Sequence, residues 1–464
     1  MTPEEFRRHG YAVVDWVANY LETVEDHPVL PQVEPGAVAA MMPHAAPEDP
    51  EDFASLLDDL DRVVMPGVTP WQSPNWFAYF PANASPPSML AELAAAGLAQ
   101  QGMLWSTSPA ATEIEARVLD WLVDLMGLPE AWKSAGPGGG VIQMSASDAT
   151  HTALVVARHD RRDEAPVEDM VVYVSNQAHS SIEKGATVAG IGHCRLVDVD
   201  DVFAMDVEAL RATVIEDIEA GLLPIAVVSA IGTTATTAVD DTEAVGRIAE
   251  EFGMWHHVDA AYAGTAMICE EYRHHQPAMD LAHSYTFNPH KWMMVNFDCN
   301  VMWVADRKPL VDAMSILPPY LRTAASDLDG VIDYRDWHVP LGRRFRSLKL
   351  WWVIRAYGAE GLRPLIRRHV ELADWLADRV AIDERFELFA PHPFGLVCFT
   401  HRGGNDSTLG LAKALNDSGR VAVTPSTIGD TAFVRVSIGQ SYTERRHVEG
   451  LWSLIDELAP PVDG

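Results

Sequence analysis

One lysine and one aspartate in this sequence have the residue types and the setting for covalent chemistry on an aldehyde. Lys291 stands in the motif Asn-Pro-His-Lys-Trp at 288–292, downstream of an apolar run that ends in Asp259. A lysine amine can hold an aldehyde as a Schiff base. An aspartate that faces a pyridine nitrogen keeps that nitrogen protonated, so that the ring accepts electrons. At the carboxyl end of a strand Asp259 would point into a ligand crevice, although the spacing alone also permits a helix cap.

A glycine-rich segment at 136–140 precedes an apolar run and Ser147. A helix that begins at Ser147 or Asp148 would offer backbone N–H groups and a hydroxyl at its N-terminus, and such groups bind anions, phosphate included. A flexible loop followed by an ordinary serine N-cap is the alternative, because short glycine motifs recur in unrelated proteins.

Other polar residues allow both a chemical and a structural interpretation. Tyr320 lies in a segment of small polar residues that suits a mobile lid, and a plain surface tyrosine is the alternative. For His179 and Thr234 the sequence alone favours structural positions. The adjacent His256 and His257 would face opposite sides of a strand, so they cannot chelate one ion from one face, and no metal is expected.

Together these segments resemble the group II pyridoxal-phosphate (PLP) enzymes that decarboxylate aromatic L-amino acids, among them the DOPA, tryptophan and tyrosine decarboxylases. The resemblance runs from Thr2 to Gly439, nearly the whole chain. It implies an α/β protein of the type I PLP-dependent transferase fold, with a mainly parallel seven-stranded sheet in the large domain. It also implies pyridoxal 5'-phosphate as cofactor, release of CO2 and an arylalkylamine, and a homodimer.

The resemblance implies a role for each matching residue. Lys291 holds the cofactor, Asp259 pairs with its ring nitrogen, and Tyr320 returns a proton after CO2 leaves. His179 stacks on the ring and relays protons. Aldehyde synthases of similar sequence carry phenylalanine at the position of Tyr320, so the tyrosine favours simple decarboxylation. The implied cofactor-binding residues are Ala146, Ser147, His179, Thr234, Asp259, Ala261, Asn288, His290 and Lys291.

The implied substrate-binding residues are Trp71, Tyr79, Phe80, Pro81, Ala82, Gln101, Met103, His179 and Gly342. Ala82 stands where the animal enzymes have a threonine, so strict selectivity for a catechol is not expected. Gln101 and Met103 replace bulkier apolar residues that the partner subunit contributes to the aromatic pocket. Gly342 matches a position where glycine leaves room for an indole. The choice among tryptophan, DOPA, tyrosine and phenylalanine stays open.

Three alternative functions remain at this point. A PLP-dependent aromatic aldehyde synthase is disfavoured by Tyr320. A glutamate-type decarboxylase of the same fold is disfavoured by the aromatic residues around Trp71 and Tyr79. A catalytically silent protein that binds PLP or an amino acid is disfavoured because Lys291, Asp259, His179 and Tyr320 are retained together.

The elements that must position these residues alternate between strand and helix from residue 141 onward, which implies a mainly parallel sheet. Strands are predicted at 170–174, 195–199, 225–231, 255–258, 284–287 and 301–304, and helices at 181–189, 207–220 and 242–252. A helix near 362–380 and strands near 396–400 and 433–438 follow. We expect three parts: a helical dimerisation segment at 1–85, a large PLP-binding domain at 86–358, and a small α/β domain at 359–464.

The stretch 63–112 contains a single charged residue, Glu92, together with several prolines and aromatic residues. The prolines argue against a membrane helix. We expect the backbone of this stretch to be irregular and buried at a subunit interface that also forms one side of the active site. A contact between domains of the same chain is the alternative.

The composition bounds the partners of the protein. At 464 residues with a net charge of −32, it would repel nucleic acid and anionic membranes, so neither is expected as a partner. The partners that the resemblance implies are a small-molecule aromatic amino acid and a second copy of the chain. Four scattered cysteines and an N-terminus without an apolar leader are typical of a cytoplasmic protein.

The first helix has a recognisable start. Thr2, Pro3 and Glu5 have the types and spacing of an N-cap, a first-turn proline and a capping box.

Overall fold

The structure, a computed structural model, describes residues 1–316 and 331–462 of the chain. The α-helices of this part of the chain are α1 (Pro3–Thr23), α2 (Ala37–Met41), α3 (Phe53–Asp59), α4 (Pro86–Leu98), α5 (Pro109–Met126), α6 (Ala146–Asp160), α7 (Ser181–Val188), α8 (Val207–Glu219), α9 (Thr242–Phe252), α10 (Pro289–Trp292), α11 (Arg307–Met314), α12 (Ser347–Ile382), α13 (Asn405–Asp417) and α14 (Arg445–Leu458). The strands are β1 (Gly139–Gln143), β2 (Met170–Ser175), β3 (His193–Val197), β4 (Leu223–Ala230), β5 (Trp255–Asp259), β6 (Ser284–Phe287), β7 (Asn300–Val304), β8 (Phe386–Leu388), β9 (Leu396–His401), β10 (Thr424–Ile428) and β11 (Thr431–Ser437).

The chain forms two compact units. The first comprises Met1–Pro81, Asp378–Glu387 and Phe399–Gly464, and the second comprises Ala82–Ala377 and Leu388–Cys398. A seven-stranded sheet in the order β1–β7–β6–β5–β4–β2–β3 organises the second unit. A four-stranded sheet has the order β10–β11–β9–β8.

The large sheet is parallel except for one strand. β2 pairs in parallel with β3 and β4, and β5 pairs in parallel with β4 and β6. β7 is antiparallel to both of its neighbours, β1 and β6. β1 therefore points the same way as the parallel strands, and the carboxyl ends of β1, β2, β4, β5 and β6 lie along one edge of the sheet.

Helices cover both faces of this sheet, which explains why β2 and β5 are buried at every residue rather than at alternate ones. On one face Val172 and Val174 of β2 pack in a core with residues of α6 and α7. On the other face Val171 and Tyr173 pack in a core with residues of α8 and α9. The expected βαβ architecture is confirmed.

The glycine-rich segment leads directly into the sheet, and its backbone is hydrogen-bonded where it precedes the strand, from Gly138 N–H to the carbonyl of Ala131 (3.0 Å). Gly139 and Gly140 begin β1, and a Cβ on Gly140 would lie 2.7 Å from Nε1 of Trp303 and 2.8 Å from Cδ1 of Leu119. Glycine is needed here because the neighbouring strand and α5 approach the backbone too closely for a side chain.

The first unit begins with α1, whose start follows from its sequence. Thr2 accepts a hydrogen bond from the backbone N–H of Glu5 (3.2 Å), and the Glu5 carboxylate accepts one from the N–H of Thr2 (2.7 Å). This is a capping box. No residue of α1 is buried in the single chain, and Phe6 and Tyr11 are 60% and 66% exposed.

One sequence-based expectation was wrong. The stretch 63–112 is not irregular throughout, because α4 and the start of α5 lie within it. Pro86 is the first residue of α4, a position where a helix needs no N–H. The helix expected near 362–380 is confirmed, because it lies within the part of α12 that follows an interruption at Gly358, where φ is 62°. Within the described ranges no helix has both the length and the apolar character needed to cross a membrane.

Candidate active site

The predicted cofactor-binding residues of the second unit lie on the turns that follow the carboxyl ends of five strands. Ala146 and Ser147 follow β1, His179 follows β2, Thr234 follows β4, Asp259 and Ala261 stand at the end of β5, and Asn288, His290 and Lys291 follow β6. In open α/β sheets ligands bind at this edge. The fold therefore brings together residues that are up to 145 positions apart in the sequence.

Asn288 ties two of these turns together. Its Oδ1 accepts a hydrogen bond from the backbone N–H of Ala146 (3.2 Å) and lies 2.8 Å from Nδ2 of Asn300. Nδ2 of Asn300 also lies 2.8 Å from Oγ1 of Thr286. Sequence analysis missed Asn300, the buried first residue of β7. The available signal was a polar amide at the head of an apolar strand.

The first turn of α6 presents its N-terminus to this edge. The helix begins at Ala146, and the Ser145 hydroxyl accepts the backbone N–H of Asp148 (3.2 Å) as the N-cap. Ser147 is therefore not the N-cap, and its side chain is exposed. An exposed hydroxyl beside the positive end of a helix suits an anion.

Asp259 is a buried carboxylate with a fixed orientation. Its side chain is 8% exposed, and Oδ1 accepts the backbone N–H of Ala261 (3.0 Å). Its carbonyl accepts the N–H of Ile231 from the turn after β4 (2.9 Å). A 3₁₀ turn at Ala263–Ile268 follows, so Asp259 does not cap an α-helix.

His179 lies within the electrostatic field of both Asp259 and Lys291. Partial burial among protein atoms lowers the pKa of His179, the Asp259 carboxylate opposes that shift, and the Lys291 ammonium adds to it. Nδ1 of His179 accepts the backbone N–H of Ser181 (3.1 Å), so the neutral ring carries its proton on Nε2. Although the ring is exposed in the single chain, it is held in one orientation.

Lys291 is carried by the short helix α10. The backbone N–H of Lys291 donates to the carbonyl of Asn288 (2.9 Å), and Nδ2 of Asn83 donates to the carbonyl of Lys291 (2.9 Å). The neighbouring His290 accepts the N–H of Cys299 at Nδ1 (2.9 Å). Burial, reinforced by the Lys291 charge, lowers the pKa of His290 to about 4. His290 is thus neutral at physiological pH and braces the turn.

A second group of predicted residues, Gln101, Met103 and Gly342, is held together separately, and we call it the Gln101 cluster. Gly102 donates its N–H to the carbonyl of Arg343 (2.9 Å), and Arg335 donates its N–H to the carbonyl of Met103 (3.0 Å). These two hydrogen bonds connect the segment 101–103 to the segment 335–343.

The Gln101 cluster is anchored by a buried ion pair. Arg343 donates to Glu115 (2.6 Å) and to the carbonyl of Ile142 in β1 (2.9 Å), and its guanidinium lies 4.5 Å from the centroid of the Tyr334 ring. Both charged side chains are at most 5% exposed. Sequence analysis missed this pair, because the partners are 228 residues apart and neither stands in a motif.

Four predicted substrate residues, Trp71, Tyr79, Phe80 and Pro81, belong to the first unit. There the ring of Tyr79 stacks at 5.8 Å from that of Trp71. Tyr79 adopts a φ of 56°, donates its N–H to Oγ1 of Thr424 (2.7 Å), and is 59% exposed. Ala82 is the first residue of the second unit, and Tyr320 lies outside the described residues.

The adjacent histidines of β5 are core residues, as their strand position predicted. Nε2 of His256 lies 2.8 Å from Oγ of Ser229, and Nδ1 of His257 lies 2.8 Å from Oγ of Ser284. Both rings are completely buried. Burial lowers the pKa of each to about 3, so both are neutral in the folded protein.

Comparison with known proteins identifies relatives along nearly the whole chain. A family model for the pyridoxal-dependent decarboxylase conserved domain matches residues 35–402. The chain is 44% identical to an aromatic-L-amino-acid decarboxylase of Cavia porcellus, covering 100% of this chain and 99% of the relative. It is 43% identical to a phenylacetaldehyde synthase of Arabidopsis thaliana, covering 99% and 96%. A crystal structure of an Oryza sativa enzyme (TDC) with PLP and tryptamine superimposes with a TM-score of 0.97 at 36% identity, covering 99% of this chain and 98% of that one.

Proposed function

The chain belongs to the pyridoxal-dependent decarboxylase family, and from this membership we propose that it converts aromatic L-amino acids to the corresponding arylalkylamines and CO2. It is a PLP-dependent carboxy-lyase of the type I fold. The observation that carries the proposal is the convergence of Lys291, Asp259 and His179 at one sheet edge, in a chain whose relatives act on aromatic amino acids.

The residues at the sheet edge fit PLP in their chemistry. Lys291 offers an amine for the aldehyde, the buried Asp259 offers one negative charge for the ring nitrogen, and the N-terminus of α6 at Ala146 and Ser147 suits the phosphate. When bound, PLP supplies an aldehyde for the substrate amine and an electron-accepting ring.

Each protein group then has one task. Asp259 keeps a proton on the pyridine nitrogen, because a buried carboxylate stabilises the adjacent positive charge. His179 presents an N–H at Nε2 and would pack beside the ring of the bound cofactor. Asn288, held by Asn300, fixes the turn that carries Lys291 to the N-terminus of α6. Tyr320 delivers a proton to the carbon that loses CO2.

The fate of that carbon separates two candidate activities. Some relatives are named phenylacetaldehyde synthases, so aldehyde formation is the alternative to amine formation. Tyr320 supports the decarboxylase, because its phenol could donate the proton that the amine product requires.

We further propose a homodimer in the cytoplasm. In support, α1 has no buried residue in the single chain, and Leu90, Leu93 and Leu98 on α4 are each about half exposed. Exposed apolar helix faces of this kind mark association surfaces. All four cysteines are free thiols, which suits a reducing compartment. Light scattering at assay concentrations tests the dimer, and a fully active monomer would contradict it.

One screen tests the activity. Purified protein supplied with PLP is given tryptophan, DOPA, tyrosine, phenylalanine and, as an acidic control, glutamate, and CO2, amine, aldehyde and hydrogen peroxide are measured. We expect CO2 and amine in equal amounts from at least one aromatic substrate and none from glutamate. Aldehyde with peroxide would identify a synthase, and bound PLP without any turnover would identify a silent homologue.

A further inference from the structure

We propose that Asn300 is a positioning residue for the phosphate group of the cofactor and that it acts through the side-chain amide of Asn288. Asn300 is completely buried, so it does not touch the cofactor itself. It turns the N–H2 end of Asn288 toward the N-terminus of α6. The inference rests on the proposed function, because PLP is the cofactor of that function. It predicts that Asn300 determines how strongly the protein distinguishes PLP from pyridoxal, the same aldehyde without the phosphate.

The orientation of the Asn288 amide is fixed by a bond that permits one assignment. The backbone N–H of Ala146, the first residue of α6, donates to Oδ1 of Asn288 (3.2 Å). Because a backbone N–H can only donate, the atom that faces it is the oxygen. Oδ1 also accepts a hydrogen bond from Nδ2 of Asn300 (2.8 Å), so both of its lone pairs are used. Nδ2 of Asn288, carried by the same carbon, therefore lies beside the first turn of α6 with its two protons available.

The orientation of Asn300 is fixed independently of Asn288. Its Nδ2 donates to the carbonyl of Phe287 (2.9 Å) and to Oγ1 of Thr286 (2.8 Å). A backbone carbonyl can only accept, so the nitrogen end of Asn300 must face β6. The Thr286 hydroxyl donates its own proton to the carbonyl of Val301 (2.9 Å), so it accepts from Asn300. Asn300 thus presents a donor to Asn288, and Asn288 meets that donor with its oxygen.

The Asn300 amide destabilises the fold at one end, which argues that its other end has a function. Asn300 is the first residue of β7, and its Oδ1 has no hydrogen-bond partner among the described residues. A buried carbonyl oxygen without a partner lowers stability, whereas an apolar side chain in the same place would not have this penalty. The rest of β7 is apolar. What an apolar residue could not supply at position 300 is the donor that faces Asn288.

Asn288 connects the turns that hold the cofactor. The backbone N–H of Lys291 donates to the carbonyl of Asn288 (2.9 Å), and the backbone N–H of Asn288 donates to the carbonyl of Ala261 in the turn after β5 (3.0 Å). The Asn288 side chain is 3% exposed, and the structure gives its Nδ2 no acceptor among the described residues. A donor at this point suits a phosphate oxygen beside Ser147, because hydrogen bonds to an anion are stronger than those between neutral groups.

Replacing the donor of Asn300 by an acceptor reverses these orientations. Asn300→Asp has a side chain of the same size, but it offers at most one proton where the amide offers two. Asn288 then satisfies the carboxyl group by turning its own Nδ2 toward position 300. Its oxygen is left facing the phosphate, and two groups that only accept hydrogen bonds repel each other. A hydrogen bond to an anion corresponds to roughly a 10- to 100-fold difference in affinity.

The test measures the dissociation constants of PLP and of pyridoxal by equilibrium dialysis of the full chain freed of cofactor, and their ratio is the readout. We expect Asn300→Asp to lower the preference for PLP by roughly 10- to 100-fold. Asn300→Leu, which avoids a buried carboxyl group, should lower it in the same direction. Gln276→Glu is the matched control and should leave the ratio unchanged. Gln276 is a buried amide of the same unit whose Nε2 donates to the carbonyl of Met126 (2.8 Å).

A double variant shows whether Asn300 acts through Asn288. If it does, adding Asn300→Asp to Asn288→Ala produces no further loss of preference for PLP. A further loss of the same size as in the single variant would show another route and overturn the proposal.

Two other results would also overturn it. Equal weakening of PLP and pyridoxal in the Asn300 variants would show a purely structural role. A wild type that binds both aldehydes equally contradicts the proposal without requiring any variant to fold. If neither aldehyde binds, the proposed function fails as well. If PLP binds but no aromatic amino acid releases CO2, the proposed function alone fails.

Discussion

Replacing Asp259 by asparagine separates the charge of this carboxylate from its shape. The asparagine Oδ1 can still accept the N–H of Ala261, now at 3.0 Å, and the backbone bond from Ile231 (2.9 Å) does not involve the side chain. Because these bonds survive, we expect Asp259→Asn to fold like the wild type. The only loss is one negative charge at the end of β5.

The magnitude follows from the burial of that charge. At 8% exposure the carboxylate is poorly screened by water, so it stabilises a neighbouring positive charge strongly. Without it a protonated pyridine nitrogen is disfavoured. In the wild type the Asp259 carboxylate opposes the lowering of the His179 pKa that burial and Lys291 cause. The variant lacks this opposition, so we expect the pKa of His179 to fall further. We expect a loss of ~3–5 kcal/mol of transition-state stabilisation, or roughly 10²–10⁴ in kcat/KM.

The assay measures kcat/KM for CO2 release, the PLP content after dialysis, and the His179 titration by NMR. Asp280→Asn is the control, because Asp280 is an exposed carboxylate that precedes β6 at the opposite edge of the sheet. We expect weaker PLP retention, a lower His179 pKa and the stated loss of turnover for Asp259→Asn only. Near-normal turnover with full PLP content would refute the role of Asp259.

Three further predictions can be checked independently. Borohydride reduction of the PLP-loaded protein should place the pyridoxyl label on Lys291, as read by peptide mass spectrometry, and a label on another lysine would contradict its role. Tyr320→Phe should switch the product from amine toward aldehyde, with peroxide and ammonia released; general acid catalysis of this kind is worth ~10²–10⁴-fold, and unchanged amine output would assign the proton to another group such as His179. Acid should destabilise the fold, because His256 and His257 have pKa values of about 3 when folded and about 6.5 when unfolded. The unfolded chain therefore binds protons that the folded protein does not. The contribution of these two histidines to the free energy of unfolding is complete above pH ~6.5 and is lost as the pH falls toward 3. Urea unfolding of the wild type and of His256→Gln from pH 7.5 to 4.5 should give the flatter profile for the variant, and parallel profiles would disprove this source of acid sensitivity.

Local sequence patterns determined a large part of this protein. The capping box at Thr2 and Glu5 is confirmed because both partners lie within one helical turn. The strand at 284–287 and the helix at 242–252 have the predicted bounds, since apolar periodicity and flanking turns are properties of neighbouring residues. The motifs around Lys291 and Asp259 identified the family and the cofactor. The individual roles of these residues and the three-part domain division stay predictions.

Only the tertiary structure decided which distant residues meet. Asn300 fixes Asn288 because β7 runs antiparallel beside β6, a strand order that no short pattern encodes. The buried pair of Arg343 and Glu115, 228 residues apart, gives no periodic signal at either position. The orientation of the Gln101 side chain likewise depends on the backbone N–H of Arg343, which lies 242 residues further along the chain. Sequence patterns report local conformation, whereas these contacts depend on the order of the strands in the sheet, and that order is set by the packing of the whole unit.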